Sequence, residues 1–284
     1  MRRAAWGCPM SSAFALLGAV LYGIADFAGG VGARRISPFR VTAWSQLLGL
    51  PLLFVGLVAI GWEAVGTADL AYGAAAGAFG FVGIVALYGA LAAGTMSIVS
   101  PLTGALTALI PVVWGLATGE AVSPVQWGGI ALALTAISLV AWDHAHAKLT
   151  VSVAVRAFVA SLGFAGFFVM LSYTAEEAGQ WPLVAGRSVS LFLGFGVLVV
   201  LRELAFPERG ALPPVLVAGN GDVAANIAVL IALQTGPLGI SVVLTSIYPA
   251  FTALAAVVYL HERPTVVQRI GIILALVAAV LLIL

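Results

Sequence analysis

Long runs of apolar residues follow one another along almost the whole chain, and short polar turns separate them. A helix needs about 20 apolar residues to cross the hydrocarbon core of a bilayer, which is about 30 Å thick. The runs are continuous rather than alternating, which favours helices over the strands of an outer-membrane barrel. The pattern predicts an all-α polytopic membrane protein with ten transmembrane helices, at residues 11–32, 38–60, 70–93, 97–118, 124–142, 151–177, 182–201, 213–234, 237–260 and 264–284.

Composition agrees with this pattern, because 62% of the residues are hydrophobic and only 8% are charged. Ordinary soluble proteins carry about 25% charged residues. The polar connections between the predicted helices are too short to fold on their own. We therefore expect all function to lie within the membrane.

A short polar turn occurs twice in the chain, and the two copies are separated by half of the 284-residue length, a spacing called here the half-chain offset. Residues 119–129 read GEAVSPVQWGG, and residues 261–271 read HERPTVVQRIG. Three positions match at identical spacing: Glu120 with Glu262, Gln126 with Gln268, and Gly129 with Gly271. The match extends into the neighbouring helices and indicates duplication of a five-helix unit, with repeats at 11–142 and 151–284.

A repeat with an odd number of helices has a geometric consequence for the second copy. The second copy must enter the membrane from the opposite side, so the repeats have inverted topology, as in many secondary transporters. A site at the interface of such repeats can open first to one side of the membrane and then to the other. A purely structural duplication, in a membrane scaffold, is the alternative interpretation.

Three segments resemble one known family. They are LTALIPVVWGLATGEAVSPVQWGG before and around the first turn, LTSIYPAFTALAAVVYLHERPTVVQRIG around the second, and LYGIADFAGG on helix 1. The chain resembles the EamA-type exporters of the drug/metabolite transporter superfamily, although Tyr22-Gly23 replaces their usual Trp-Gly pair. The resemblance covers essentially the whole chain. It implies ten helices and export of small metabolites, with the aromatic amino-acid exporters as one candidate subtype.

The two glutamates of the repeated turn, Glu120 and Glu262, have two interpretations. A carboxylate near the N-terminus of a helix accepts backbone N–H groups and interacts favourably with the helix dipole. We interpret both as structural caps, with a role in coupling as the alternative. Pro101, Pro111 and Pro249 lie within helices 4 and 9 and leave carbonyl groups unpaired, which suits bending or gating elements.

Charged side chains within the predicted helices are candidates for function, because burying one in the bilayer costs about 2.5–3.5 kcal/mol on insertion scales. Asp222 lies deepest and has Asn226 at helical spacing on the same helix. Asp26 on helix 1 and Arg187 on helix 7 lie nearer the ends of their spans. A substrate contact, a proton-coupling site and a structural ion pair are all open for these three residues.

Aromatic and hydroxyl side chains on several helices predict a mixed cavity suited to an amphipathic metabolite. The predicted lining consists of Tyr22, Phe79, Tyr88, Ser100, Thr103, Phe164, Phe168, Thr245 and Tyr248, together with Asp26, Asp222 and Asn226. Packing against lipid or other helices is the alternative role for the aromatic residues.

Enzyme and nucleic-acid functions find no support in the sequence. It contains no phosphate-binding glycine loop and no HExxH motif, and we expect no cofactor and no metal. A net charge of +1 without a basic cluster argues against nucleic acid as a partner. The expected partners are a small-molecule substrate and the lipid bilayer. A proton is the candidate coupling ion, and a monomer and a homodimer are both open.

Orientation in the membrane has two conflicting indications. The positive-inside rule favours external termini, whereas the family resemblance implies cytoplasmic termini. One side of the predicted topology carries Arg34, Arg35, Lys148, Arg202, Arg209 and Arg263, and the other carries mainly Arg2 and Arg3.

We expect a secondary transporter of the bacterial inner membrane that exports neutral or aromatic amino acids or related metabolites by alternating access. A channel or a non-transporting scaffold is the alternative.

Overall fold

The computed structural model describes residues 7–93, 96–141, 150–260 and 265–283, and within these ranges every regular element is helical. The helices are α1 (Gly7–Ala33), α2 (Pro38–Leu48), α3 (Leu50–Ile60), α4 (Thr67–Ala93), α5 (Met96–Ala117), α6 (Pro124–Ala141), α7 (Val151–Leu171), α8 (Trp181–Leu201), α9 (Leu212–Thr235), α10 (Leu238–Thr245), α11 (Tyr248–Leu260) and α12 (Val266–Ile283). A short 3₁₀ turn, Glu176–Ala178, precedes α8.

Six helical segments are long and apolar enough to cross a bilayer, so the protein is a multi-pass membrane protein. They are Met10–Ala33, Pro38–Ile60, Thr67–Ala93, Val151–Leu171, Trp181–Leu201 and Leu212–Thr235. The other four predicted spans coincide with α5, α6, the pair α10 and α11, and α12. The count of ten transmembrane helices stays a prediction.

Two predicted spans are broken rather than continuous. The span at 38–60 divides at Gly49, which separates α2 from α3, and Pro51 lies in the first turn of α3. The span at 237–260 divides between Thr245 and Tyr248, and Pro249 follows the break. Proline has no N–H to donate to the preceding turn, and it is best tolerated where a helix begins.

The helix predicted at 151–177 also differs from the structure, because α7 ends at Leu171. The hydroxyl of Ser172 donates to the carbonyl of Val169, and the hydroxyl of Thr174 donates to the carbonyl of Leu171. Such local side-chain bonds compete with continuation of the helix. The chain then turns through the 3₁₀ segment into α8.

The half-chain offset reappears in the helix bounds. It relates α6 to α12 at both ends, the end of α4 to the end of α9, and the start of α5 to the start of α10. Counterpart helices are therefore α1 and α7, α2 with α3 and α8, α4 and α9, α5 and α10 with α11, and α6 and α12.

The packing of the helices follows the same correspondence. α1 packs along α9, and its counterpart α7 packs along α4, the counterpart of α9. α6 packs along its own counterpart α12, and α5 along α10 and α11. Helices of one repeat thus pair mainly with helices of the other, and the core lies between the repeats.

Small residues allow the closest of these crossings. A Cβ atom on Gly77 of α4 would collide with the backbone of Gly186 on α8. Gly219, the counterpart of Gly77, is in similar contact with the backbone of Ser45 on α2. Close approach at small residues is a common way to pack helices in membranes, where apolar burial gives little drive for association.

The glutamine of the polar turn before α6 caps the N-terminus of that helix. The hydroxyl of Ser123 accepts the backbone N–H of Gln126, and the side chain of Gln126 accepts the N–H of Ser123. This reciprocal pair is a capping box, and Pro124 occupies the first helical position. A need for helix capping therefore explains why glutamine stands at this place in the turn.

Candidate functional site

Two adjoining cavities lie between the repeats. The first is bounded by α1, α2, α3, α4, α7, α8 and α9, and the second by α1, α4, α5, α7, α9, α10 and α11. Measured as the space open to the centre of a water molecule, their volumes are about 50 and 30 Å³. Four residues line both cavities and form the wall between them: Tyr22, Ile84, Phe164 and Asp222.

The size of these cavities limits what this conformation holds. A buried water needs about 10–15 Å³ by this measure, so the two cavities have room for roughly two to five waters each. An amino acid or a similar metabolite requires the helices to separate further. The structure therefore shows the space between the repeats in a contracted state.

An ion pair forms part of the first cavity. Arg187 of α8 and Asp222 of α9 approach to 2.9 Å between Nη2 and Oδ2, and their side chains are only 6% and 13% exposed. Arg187 Nη1 also donates to the side-chain oxygen of Gln46 on α2. The pair neutralises both charges, and removal of either partner would leave an uncompensated buried charge.

The hydroxyl of Tyr22 lies at the junction of the two cavities. It donates to the side-chain oxygen of Asn226 at 2.5 Å. The ring of Tyr22 meets the rings of Phe168 and Tyr248 edge to face, at centroid distances of 6.4 and 6.5 Å. These contacts fix the tyrosine between α7, α9 and α11.

Asp26 lines the second cavity and is only 7% exposed. No residue in the described ranges forms a hydrogen bond or an ion pair with its carboxylate. The hydroxyls of Thr107, Ser246 and Tyr248 line the same cavity and likewise have no partner among the described residues. Thr245 differs, because its hydroxyl donates to the carbonyl of Ser241 at 2.8 Å.

The break between α10 and α11 positions two of these hydroxyls. Ser246 is the C-cap residue of α10, and Tyr248 begins α11 immediately before Pro249. The ring of Pro249 lies against Gly104 of α5, where an added Cβ would stand 2.9 Å from Pro249 Cγ. α5 itself runs without a break through Pro101 and Pro111.

Not all of the predicted lining residues reach one of these two cavities. Tyr22, Asp26, Phe164, Phe168, Asp222, Asn226, Thr245 and Tyr248 line one or both. Phe79, Tyr88, Ser100 and Thr103 line neither. A substrate role for these four residues stays a prediction.

The four residues outside the cavities have other surroundings. Phe79 of α4 is 45% exposed and packs against Gly166 of α7. Tyr88 is buried against Gly29, and its hydroxyl has no partner in the described part of the chain. Ser100 is fully buried, and Thr103 donates to the carbonyl of Val99 at 2.8 Å.

Sequence reasoning missed Gln46 and Thr107. Gln46 binds Arg187, and Thr107 lines the second cavity. A glutamine within the apolar span at 38–60 is a signal that could have singled out Gln46. A single threonine carries little signal, because its hydroxyl readily bonds to its own helix backbone.

Glu120 caps a helix of the opposite repeat. Its carboxylate accepts the backbone N–H groups of Leu238 and Gly239, the second at 2.9 Å. These are the first two residues of α10, the counterpart of the helix that Glu120 follows. The carboxylate therefore joins the two repeats, in addition to satisfying donors at a helix N-terminus. Glu262 lies outside the described residues.

A bundle built from two repeats, with small cavities of mixed apolar and polar lining at their interface, is an architecture of membrane transporters. The EamA-like transporter family matches at residues 10–142 and 152–284, and the chain belongs to this family. The protein is a membrane transporter of the drug/metabolite transporter type. Members of the family are transporters rather than enzymes, which fits the expectation of no enzymatic activity.

This chain is also similar to individual proteins. An uncharacterized protein of Methanocaldococcus jannaschii is 27% identical over 120 residues, which is 86% of that protein and 42% of this chain. That relative is therefore about as long as one repeat. A protein of known crystal structure is 17% identical, with a TM-score of 0.76 and 95% of each chain covered. At this identity the likeness shows the fold alone.

Proposed function

We propose that the protein is a secondary transporter that exports small amphipathic metabolites by alternating access, with neutral or aromatic amino acids as the leading substrates. The observation that supports this proposal is the position of the two cavities between counterpart helices of the two repeats. The wall between the cavities combines the aromatic rings of Tyr22 and Phe164 with the carboxylate of Asp222. Apolar walls with a few polar groups suit an amphipathic ligand.

The contracted cavity supports a carrier rather than a channel. A channel needs a continuous wetted path, whereas an alternating carrier passes through states in which its site is closed off. We place the protein in the bacterial inner membrane, since helical spans are typical of that membrane and barrels of the outer one. A proton is the proposed coupling ion.

Purified protein in liposomes, supplied with labelled amino acids, nucleosides and polyamines, tests this function. We expect saturable flux of at least one amphipathic compound, with stimulation by unlabelled substrate on the far side. Protein-free liposomes provide the baseline. Flux that rises linearly with substrate would identify a channel. A folded protein without flux for any compound would leave a structural role.

A further inference from the structure

The charges around the two cavities do not balance when Asp26 is ionised. Among the described residues, three charged side chains line these cavities: Asp26, Arg187 and Asp222. Arg187 and Asp222 form an ion pair at 2.9 Å and neutralise each other. With Asp26 ionised, the cavities carry one negative charge in excess, which a bound monovalent cation would neutralise.

The unpartnered hydroxyls point to the same kind of ligand. Thr107, Ser246 and Tyr248 are 1%, 1% and 5% exposed, and their oxygens have no hydrogen-bond partner within the described ranges. Buried hydroxyls are normally hydrogen-bonded, and each oxygen has lone pairs that accept N–H donors. An ammonium group offers three donors and a positive charge, which matches three hydroxyls and one carboxylate.

The walls of the second cavity favour an organic cation over a metal ion. Tyr22, Phe164, Phe168 and Tyr248 surround it with aromatic rings. Aromatic faces attract ammonium groups through their quadrupoles. The volume of about 30 Å³ suits a single ammonium head, and the apolar lining of the first cavity, which includes Leu53, lies across the shared wall.

We propose that the second cavity recognises an organic ammonium group, that Asp26 is the carboxylate that receives it, and that the cargo is an amphipathic monocation rather than a zwitterion. The proposal rests on the proposed transport function and narrows its substrate class: it favours amphipathic amines over the amino acids named there as leading substrates. The apolar body of the cargo extends across the wall of Tyr22 and Phe164 into the first cavity.

Among the described residues that line the cavities, no cationic group is free to bind the carboxylate of an amino acid. Arg187 is the only cation among the described residues that line the cavities, and Asp222 and Gln46 already bind its guanidinium. A bound zwitterion would place a second negative group beside Asp222 or displace it from the ion pair. A matched amine without the carboxylate avoids this cost.

Binding to detergent-purified protein by isothermal titration calorimetry tests the proposal without requiring transport. The probes are phenethylamine, phenylalanine and 2-phenylethanol, which share a phenyl ring and differ in charge. We expect phenethylamine to bind at least tenfold more tightly than either of the others. Asp26→Asn should abolish this preference. Glu208→Gln, which removes a carboxylate from an exposed loop, should retain it.

A second variant covers the case in which Asp26→Asn does not fold. Ser246→Ala removes one unpartnered hydroxyl and no formed hydrogen bond, and it should weaken phenethylamine binding severalfold while 2-phenylethanol binding stays unchanged. Phenylalanine binding as tightly as phenethylamine would overturn the proposal. So would a titration in which sodium ions bind in an Asp26-dependent manner and phenethylamine does not.

The outcomes separate the ammonium site from the transport function. Binding of phenethylamine that depends on Asp26, without flux in liposomes, would retain the site and reject the transporter. Saturable flux of amino acids without any preference for the matched amines would retain the transporter and reject the ammonium site.

Discussion

Tyr22 and Phe164 occupy equivalent positions of the two repeats, related by the half-chain offset, and both form the wall between the two cavities. The same offset relates Asp26 to Phe168, which both line the second cavity. Inverted repeats are expected to be related by a pseudo-twofold axis, and such an axis would pass between counterpart residues of this kind. Under the proposed mechanism, an exchange of conformation between the repeats would rearrange the walls of this cavity.

Removing the hydroxyl of Tyr22 should weaken this wall. We expect Tyr22→Phe to lower the free energy of unfolding by about 0.5–1.5 kcal/mol, because the hydrogen bond to Asn226 is lost and the ring is kept. Tyr259→Phe is the matched control, since Tyr259 is 78% exposed. Thermal unfolding in detergent measures both variants, and an equal loss in both would contradict the assignment.

The ion pair of Arg187 and Asp222 should behave as a unit. Asp222→Asn or Arg187→Gln alone should destabilise the protein by about 3–5 kcal/mol, because a buried charge loses its partner. The double variant should recover most of that loss. Denaturant unfolding of the three variants forms the double-mutant cycle. Additive losses would show that the two side chains act independently.

Glu120 provides a comparison for transport. We expect Glu120→Gln to reduce transport much less than Asp222→Asn, because a glutamine keeps one acceptor for the N-terminus of α10 while the buried pair has no substitute. Glu120→Ala should lower stability by about 0.5–2 kcal/mol, as loss of a helix cap does. Initial flux rates compare the variants. A larger transport defect in Glu120→Gln than in Asp222→Asn would assign Glu120 a role in coupling.

The crossing of α4 and α8 should tolerate no added atoms. Gly77→Ala places a methyl group against the backbone of Gly186, so we expect a destabilisation of about 1–3 kcal/mol or a loss of folded protein. Gly128→Ala is the control, because nothing lies within 4 Å of an added Cβ there. Size-exclusion profiles and thermal unfolding distinguish the two. A stable Gly77→Ala protein would contradict the close crossing.

The repeat in the sequence anticipated much of the fold. Each apolar run predicted a helix, and the bounds of α6, moved by the half-chain offset, are those of α12. The sequence did not predict the breaks at Gly49 and after Thr245, because the segments on the two sides of each break are equally apolar. Hydropathy responds to the environment of a segment and does not register a local break in its helical hydrogen bonds.

The charged residues beside the cavities could be singled out from the sequence because their burial carries a high cost. Asp26, Arg187 and Asp222 stood out because a charged side chain in the bilayer is costly and is usually paired or functional. The sequence could not show which way Phe79 faces, because a helix that is apolar on all sides gives no periodic signal for its inner side. In the structure Phe79 is 45% exposed. Gln46 was missed because its role depends on α2 lying beside α8, a tertiary contact.

Cysteine pairs that lock each repeat test the alternating mechanism most directly, in a Cys8→Ser background. Gly239 lies close to Val112, with 3.5 Å between its added Cβ and Val112 Cα, so a Val112→Cys, Gly239→Cys disulfide should lock the state seen here. The half-chain offset gives the equivalent pair, Ser97→Cys and Leu254→Cys. Each lock should stop flux, and reduction should restore it.

The decisive measurement is the labelling of a third cysteine, Thr245→Cys, by a membrane-impermeant reagent added to one side of the liposome at a time. We predict that the two locks expose this residue to opposite sides, because each lock closes one end of the space between the repeats. Labelling from the same side under both locks would contradict alternating access and leave the duplication without a role in transport.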